Sequence, residues 1–266
     1  MIKYSIVTVV NNDDVYDKCL LQSIKSEKRR DIEFVPIFNY NNQFTASIAL
    51  NYGLTVAKGE YVIICHQDVG IKPGTMEILD NFLTPDIMIL GASGVDLSCK
   101  ASDVGMWGGT KSKTLAVGTV YSSDTQSEPY WSGISELTKV HCVDECFFVV
   151  KKSILTRFDN NFNGFHFYGV DFCLQARKQG YDVHAASIPI IHYGEYSGSM
   201  LNNSRYWPLL RKLHGKWRVH FPELLTTHMH WDDLGEITSY IGYKLRSDDG
   251  LEFQVSSTKI KGLIND

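Results

Sequence analysis

Three short runs rich in β-branched and aromatic residues, Tyr4 to Val10, Ile32 to Phe38 and Tyr61 to Cys65, alternate with helical periods inside the first 65 residues. In the first interval Tyr16, Leu20 and Ile24 recur every fourth residue, with Asp13 or Asp14 placed to cap the helix. In the second, the polar NYNNQ leads to an expected helix from about Thr45 to Ala57, closed by Lys58 as a last-turn cation and Gly59 as the C′ glycine. Strands joined by crossovers of this length form a parallel sheet with right-handed connections, and such sheets bind ligands beyond the carboxyl ends of the strands. The polar residues at those ends are Thr8, Asn11, Asn12 and Asp13 after the first run, Asn39 after the second, and His66, Gln67 and Asp68 after the third. They converge on one candidate crevice.

The rest of the chain continues the pattern less regularly. Pro73 suits the first turn of a helix reaching Phe82, and IMILGA supplies a fourth strand. Residues Ser93 to Ser135 are rich in Gly, Ser and Thr with scattered aromatics, a composition that suits disordered or ligand-ordered active-site loops. Val140 to Val150 reads as one strand. A helix containing Val170, Cys173, Leu174 and Arg177 ends at Gly180, and two strands follow, Asp182 to Ala186 and Pro189 to His192. From Asn203 to His220 a basic, aromatic helix carries Pro208 and Gly215 as interruptions, and Ser247 to Gly250 turns a terminal hairpin between YIGYKL and LEFQV.

With 266 residues the chain suffices for one large α/β domain with an appendage. A formal net charge of -4 gives no broad attraction to nucleic acid, which argues against a nucleic-acid enzyme. The six cysteines sit mostly in apolar runs, as reduced core residues. MIKYSIVTVV lacks the features of a signal peptide and no apolar run reaches the length of a membrane span, so the expected compartment is the cytoplasm.

The segment AKGEYVIICHQD ends an apolar strand on a carboxylate, a placement that lets Asp68 hold a divalent cation against a diphosphate. Asp is also a common turn former at strand ends. The segment resembles the stretch leading to the D-x-D motif of family 2 inverting glycosyltransferases, with His66 in place of the first Asp and Asp68 at the second. The HQD variant, with VVNNDDVYDKCLLQSI near the start, is similar to a prokaryotic subfamily of these proteins. The resemblance resumes at VDECFFVVKKSIL, NNFNGFHFYGVDFCLQARKQGYDV and IPIIHYGEYSG, and covers residues 1–199. It implies a GT-A fold: a mainly parallel central sheet flanked by helices, with residues 200–266 as a small helix and hairpin extension packed on it.

What the resemblance implies chemically is a metal-assisted, inverting transfer of a sugar from a nucleoside diphosphate donor, UDP-linked by expectation, to a glycan, lipid-linked or protein hydroxyl. Asp68 is the principal ligand for Mn2+ or Mg2+ and His192 a second, although a loop histidine of this kind more often makes an ordinary hydrogen bond. Thr8, Asn11, Asn39, His66, Gln67 and Asp68 form the nucleotide side. Asn39 stands where the family places an Asp that accepts a hydrogen bond from uracil, and an amide oxygen accepts the same bond. A proton acceptor is also required. The family places E-D-x-D at the start of the last helix of the domain, where this chain has Tyr168, Gly169, Val170 and Asp171. Asp171 is the first candidate, equally readable as a carboxylate favoured by the helix dipole; Asp144 and Glu145, set among apolar residues, are the others.

Three clusters compete for attention. His141, Cys142 and Cys146 have zinc-ligand types at a spacing wrong for a zinc knuckle. His228, His230, Asp232 and Asp233 fit a polar loop before the hairpin. The Arg205, Arg211, Lys212, Lys216 and Arg218 run with Trp207 and Trp217 suits either peripheral contact with the inner face of a membrane or a helix packed on the main domain. A nucleotide-sugar binding module without turnover, or another α/β nucleotidyltransferase, are the alternative readings. The second would want a Gly-rich phosphate loop after the first strand, and none is present.

Overall fold

The computed structural model describes residues 1–99, 116–122, 127–162, 164–194 and 206–222, with the backbone of short strands at 224–225, 230–231, 244–246 and 252–254. Its centre is a curled 12-stranded mixed sheet. Strand β1 (Tyr4–Val10) lies between β2 (Ile32–Phe38) and β3 (Tyr61–Cys65), parallel to both, as the alternation of runs requires. Beyond β3 the order changes. Strands β4 (Val69–Ile71), β5 (Ile89–Gly91), β6 (Ser93–Asp96), β7 (Ala116–Ser122), β8 (Pro129–Ser132), β9 (Thr138–Val143), β10 (Phe147–Lys151), β11 (His184–Ala185) and β12 (Ile190–His192) join mostly by antiparallel pairing. Parallel pairs there are β5 with β11 and β7 with β12. The path runs β2-β1-β3-β10-β5-β11-β9-β6-β7-β12-β4, with β8 against β7.

Helices cover both faces. On one, α2 (Ala46–Val56), α4 (Tyr168–Lys178) and α5 (Tyr206–Trp217) pack Leu50, Leu54, Phe172, Leu174, Leu210 and Leu213 against Val7, Val62, Phe148 and Val150. On the other, α1, a continuous run of Asp13–Val15, a π-helical Tyr16–Leu21 and Gln22–Lys25, joins α3 (Thr75–Phe82) over Ile6, Val10, Ile63 and Val149. The alternation of β1 and β3 divides their side chains between these two cores, as period-2 strands buried on both faces must.

Several local expectations change. The cap of α1 is Asn12, whose Oδ1 accepts from Val15 N at 3.2 Å, with Asp13 and Asp14 in the first turn behind it. Gly59 does not close α2 in a left-handed turn; a Cβ there would sit 2.6 Å from Ser5 N, so the glycine lets the chain re-enter beside β1. The Ser93 to Ser135 stretch contains β6, β7 and β8, its remaining residues 100–115 and 123–126 lying outside the described set. Val140 to Val150 is two strands with a turn at 144–146, because Asp144 Oδ1 accepts from Cys146 N at 2.9 Å and closes the chain on itself. Pro208 does not interrupt α5, since it falls in the first turn, where no intrahelical N–H is lost. The expected terminal hairpin is present as β15 (Lys244–Arg246) and β16 (Glu252–Gln254), preceded by β13 (Leu224–Leu225) and β14 (His230–Trp231). The six cysteines are buried. Among the described residues no helix is long and apolar enough to cross a membrane.

Candidate active site

Strand β3 ends at Cys65 and β4 begins at Val69, so His66, Gln67 and Asp68 form the connection at the carboxyl end of the sheet. His66 is tied there by its N–H to Cys146 O at 3.0 Å, which also brings the 144–146 turn alongside. Strand β12 pairs antiparallel with β4 in a register that sets His192 opposite Val69, and Tyr193 N donates to Asp68 O at 2.9 Å. His192 lies 124 positions from Asp68 in sequence, and the ladder itself delivers it there. His66, Asp68 and His192 present ligand atoms within 4.8 Å of one another, the one such group of three among the described residues.

The geometry inside the group is that of shared ligands rather than of a hydrogen-bonded chain. His192 Nε2 lies 3.6 Å from Asp68 Oδ2 and His66 Nδ1 lies 3.9 Å from Asp68 Oδ1, both beyond hydrogen-bond reach. His192 Nε2 is buried with no hydrogen-bond partner, a condition that costs free energy unless something else supplies one. Burial opposes charge on Asp68, but the two imidazoles outweigh it and hold the carboxyl below its ordinary range. Burial likewise opposes charge on His192, and Asp68, with Asp144 beyond it, outweighs that and raises its pKa. At His66 burial wins and the pKa falls. A carboxylate and two imidazoles with one orphaned nitrogen fit a divalent cation of the Mn2+ type.

Of the other expected residues, Gln67, Asn11 and Asn39 are already engaged. Gln67 Oε1 accepts from Asn11 N at 3.0 Å and Asn12 N at 3.1 Å, and its Nε2 donates to Asn11 Oδ1 at 2.5 Å, so Gln67 and Asn11 clamp the β1 end to the β3 end. Asn39 is buried, donating to Phe44 O and accepting from Phe44 N, both at 2.9 Å, which pins the 40–44 loop. The buried Thr8 hydroxyl has no partner, and strand alternation places it with Ile6 and Val10 on the α1 face.

The acidic candidates separate cleanly. Asp171 is fully buried on α4, where Oδ1 accepts from Trp217 Nε1 at 2.6 Å and pairs with Lys216 Nζ at 2.8 Å, while Gln175 Nε2 donates to Oδ2 at 2.7 Å. Its carboxylate is spent on docking α5. Burial raises its pKa against the opposing pull of Lys216 and Trp217. Glu145 is half-buried in the 144–146 turn and reaches the start of α4, accepting from Phe167 N and Gly169 N at 3.2 Å each. Burial, with Asp144 adjacent, pushes its pKa up to about 8. A Cβ on residue 169 would lie 2.8 Å from Glu145 Cβ, so the glycine that stands in the acidic pattern of this helix is what admits the glutamate from the turn. Phe167, at φ 62°, holds the left-handed entry to the helix.

Two residues acquire roles that the sequence reading did not give them. His66, expected on the nucleotide side, belongs to the Asp68 group, and Tyr168 Oη lies 2.9 Å from its Nε2. The first was legible in principle, since positions i and i+2 leave a strand on the same side; the second depends on how α4 packs. The zinc-like trio does not assemble: His141 Nε2 meets Cys99 O at 3.2 Å and both cysteines are core residues. The side chains of His228, His230, Asp232 and Asp233 lie outside the described residues.

Residues 5–205 match the sequence model of a glycosyltransferase-like family. The chain belongs to that family. This glycosyltransferase-like protein is 26% identical over 230 residues to a Fuscovulum blasticum protein described as ATP synthase subunits region ORF 6, covering 82% of this chain and 85% of the relative. Its fold is that of GT-A glycosyltransferases. It matches GalNAc-T7, solved with UDP, GalNAc and Mn2+, with TM-score 0.59 and 8% identity over 84% of this chain and 49% of the other. It also matches the mannosyltransferase PcManGT from Pyrobaculum calidifontis, solved with GDP-Man and Mn2+, with TM-score 0.53 and 12% identity over 80% of this chain and 63% of the other. The chain thus spans between about half and two thirds of these structures.

Proposed function

We propose that the protein transfers a sugar from a nucleoside diphosphate donor to a hydroxyl acceptor, with His66, Asp68 and His192 holding a divalent cation. The observation that carries this reading is the buried, partnerless His192 Nε2 beside Asp68 at the carboxyl end of the sheet. A cation held there supplies positive charge against the departing diphosphate. Both structural relatives named above were solved with a nucleotide or nucleotide-sugar and Mn2+, which supports the same arrangement here. Asn39, committed to Phe44 through both ends of its amide, gives little weight to uridine over guanosine, so the donor base is left to experiment.

Glu145 is the proton acceptor in this proposal. A carboxylate pushed up to about 8 takes a proton from an acceptor hydroxyl more readily than an ordinary one, and the residue is only partly buried. A direct displacement using one such base inverts the anomeric centre. The acceptor is a glycan, lipid-linked or protein hydroxyl by family resemblance, and the basic helix α5 gives no separate support for a membrane-bound one. Trp217 and Leu213 of that helix are buried in the core and Lys216 pairs with Asp159 and Asp171.

The engagement of Asp171 favours one competing reading, a binding module without turnover. One assay decides between them. UDP- and GDP-sugars are incubated with and without Mn2+ and released nucleoside diphosphate is measured; Mn2+-dependent release supports the transferase. Tight Mn2+-dependent binding of the nucleotide with no release above a Glu145→Gln control across an acceptor panel would replace it with the binding module.

A further inference from the structure

A metal-binding histidine is useful only in the tautomer that turns a lone pair to the ion, and that tautomer is set by what its other nitrogen meets. His66 has its Nδ1 on the Asp68 side, 3.9 Å from Oδ1, and its Nε2 on the other side, 2.9 Å from the Tyr168 hydroxyl. Tyr168 is 4% exposed and its Oη also stands 3.5 Å from the backbone carbonyl of Glu145, in a donor-to-acceptor arrangement. A carbonyl only accepts, so the Tyr168 proton has a place to go that is not His66. With that proton directed to Glu145 O, the hydroxyl oxygen is left to accept from His66 Nε2–H, and Nδ1 carries the lone pair into the group formed with Asp68 and His192.

We infer that Tyr168 is a positioning residue that fixes His66 as the Nε2–H tautomer, so that Nδ1 is the atom presented to the cation. The inference rests on the cation site proposed above and adds to it the identity of the ligating nitrogen and the side chain responsible. It also explains why an aromatic residue with a hydroxyl, in place of an acid, opens α4. The helix start is only one step from the cluster, and the relay runs Glu145 carbonyl, Tyr168 hydroxyl, His66 imidazole. The same turn that carries the Glu145 carboxylate therefore contributes its backbone to the orientation of His66.

Two measurements test this. Mn2+ titrated calorimetrically into the whole chain should bind about 10- to 100-fold more weakly to Tyr168→Phe than to the wild type, the range in which loss of an outer partner of a metal-bound histidine falls. Nitrogen-15 spectra of the wild-type imidazoles, recorded with Mg2+ because it is diamagnetic, should show His66 protonated at Nε2. In Tyr168→Phe that resonance pattern should move toward a mixture of tautomers. Unchanged Mn2+ affinity in Tyr168→Phe, where Asp68→Ala has lost it, overturns the role of Tyr168 while leaving the cation site standing. A wild type that binds no Mn2+ at all overturns the cation site and this inference with it. A His66 protonated at Nδ1 in the wild type overturns the tautomer assignment whether or not Tyr168→Phe folds.

Discussion

Asp68 and Asp171 are both buried, both lie at the end of an element, and both belonged to the same expected site, yet the molecule treats them differently. Asp171 has three side-chain partners within 3.1 Å, Trp217, Lys216 and Gln175, and its two oxygens are saturated. Asp68 has two imidazoles at 3.6 and 3.9 Å, too far for hydrogen bonds, and one of them has a buried nitrogen with nothing to bond. A satisfied buried carboxylate is a fastening. A carboxylate beside an imidazole nitrogen with no partner marks either a defect or a place for a ligand, and the β4–β12 ladder that brings the distant His192 to Asp68 favours the ligand.

Asp68→Ala should produce the largest effect of any single change. Mn2+-dependent nucleotide binding is expected to fall below detection in calorimetry, while the melting temperature changes little, because the imidazole contacts of the side chain are as long as 3.6 and 3.9 Å. Undiminished Mn2+-dependent affinity in this variant would remove the distinction drawn between the two aspartates.

Glu145 lies between the extremes, bonded to two backbone N–H groups yet raised to about 8 by burial and by Asp144. As the base it must be ionised, so turnover should climb as pH rises toward 8 and level off above it, and Glu145→Gln should lower turnover by about 10²- to 10⁴-fold and remove that limb. Stability runs the other way. A folded pKa above the unfolded value of about 4.5 means the folded state holds the proton more tightly, so wild-type stability relative to Glu145→Gln should decline as pH rises from about 4.5 to 8. Melting curves across that window check the sign, and a pH-independent difference would remove Glu145 from the site.

How far all this was readable beforehand follows the same division. Strands β1, β2 and β3 and the position of Asp68 come directly from period and punctuation, because they are local properties of a run and its end. His192 was placed as a second ligand from the order of motifs alone, and the ladder that carries it there is long-range. The Asp144–Glu145 turn was missed since an acid pair inside eleven mostly apolar residues reads as one strand; the side-chain cap on Cys146 N that breaks it is visible only in three dimensions. The engagement of Asp171 is hidden from sequence for a related reason. Its partners Lys216 and Trp217 lie beyond residue 199, in a helix that sequence set aside as an appendage, and that helix contributes Leu209, Leu210, Leu213 and Trp217 to the main core.

The fastening role of Asp171 predicts a stability effect in place of a binding one. Asp171→Ala strands the buried Trp217 N–H and removes the partner of Lys216, which is itself 30% exposed and keeps Asp159, so the loss should be about 2 to 3 kcal/mol, below the range for a fully buried pair. Mn2+ affinity of the folded fraction should be unaltered. Denaturant titration gives the first quantity and calorimetry the second, and a variant that keeps its stability but loses Mn2+ would exchange the roles of the two aspartates.

Trp217→Phe is the smallest and most discriminating change. It keeps an aromatic ring beside Phe221 and His220, trims the indole to a single ring and deletes the N–H that meets Asp171 Oδ1 at 2.6 Å. Lys216 continues to neutralise the carboxylate, so the expected cost is the hydrogen bond to a charged group plus a small packing loss, about 2 kcal/mol. The double variant Asp171→Ala with Trp217→Phe should then be less destabilised than the sum of the singles, since neither leaves the other's polar atom buried without a partner. Simple additivity would mean the two groups are not coupled in solution, and the reason for setting Asp171 apart from Asp68 would have to be sought in Lys216 alone.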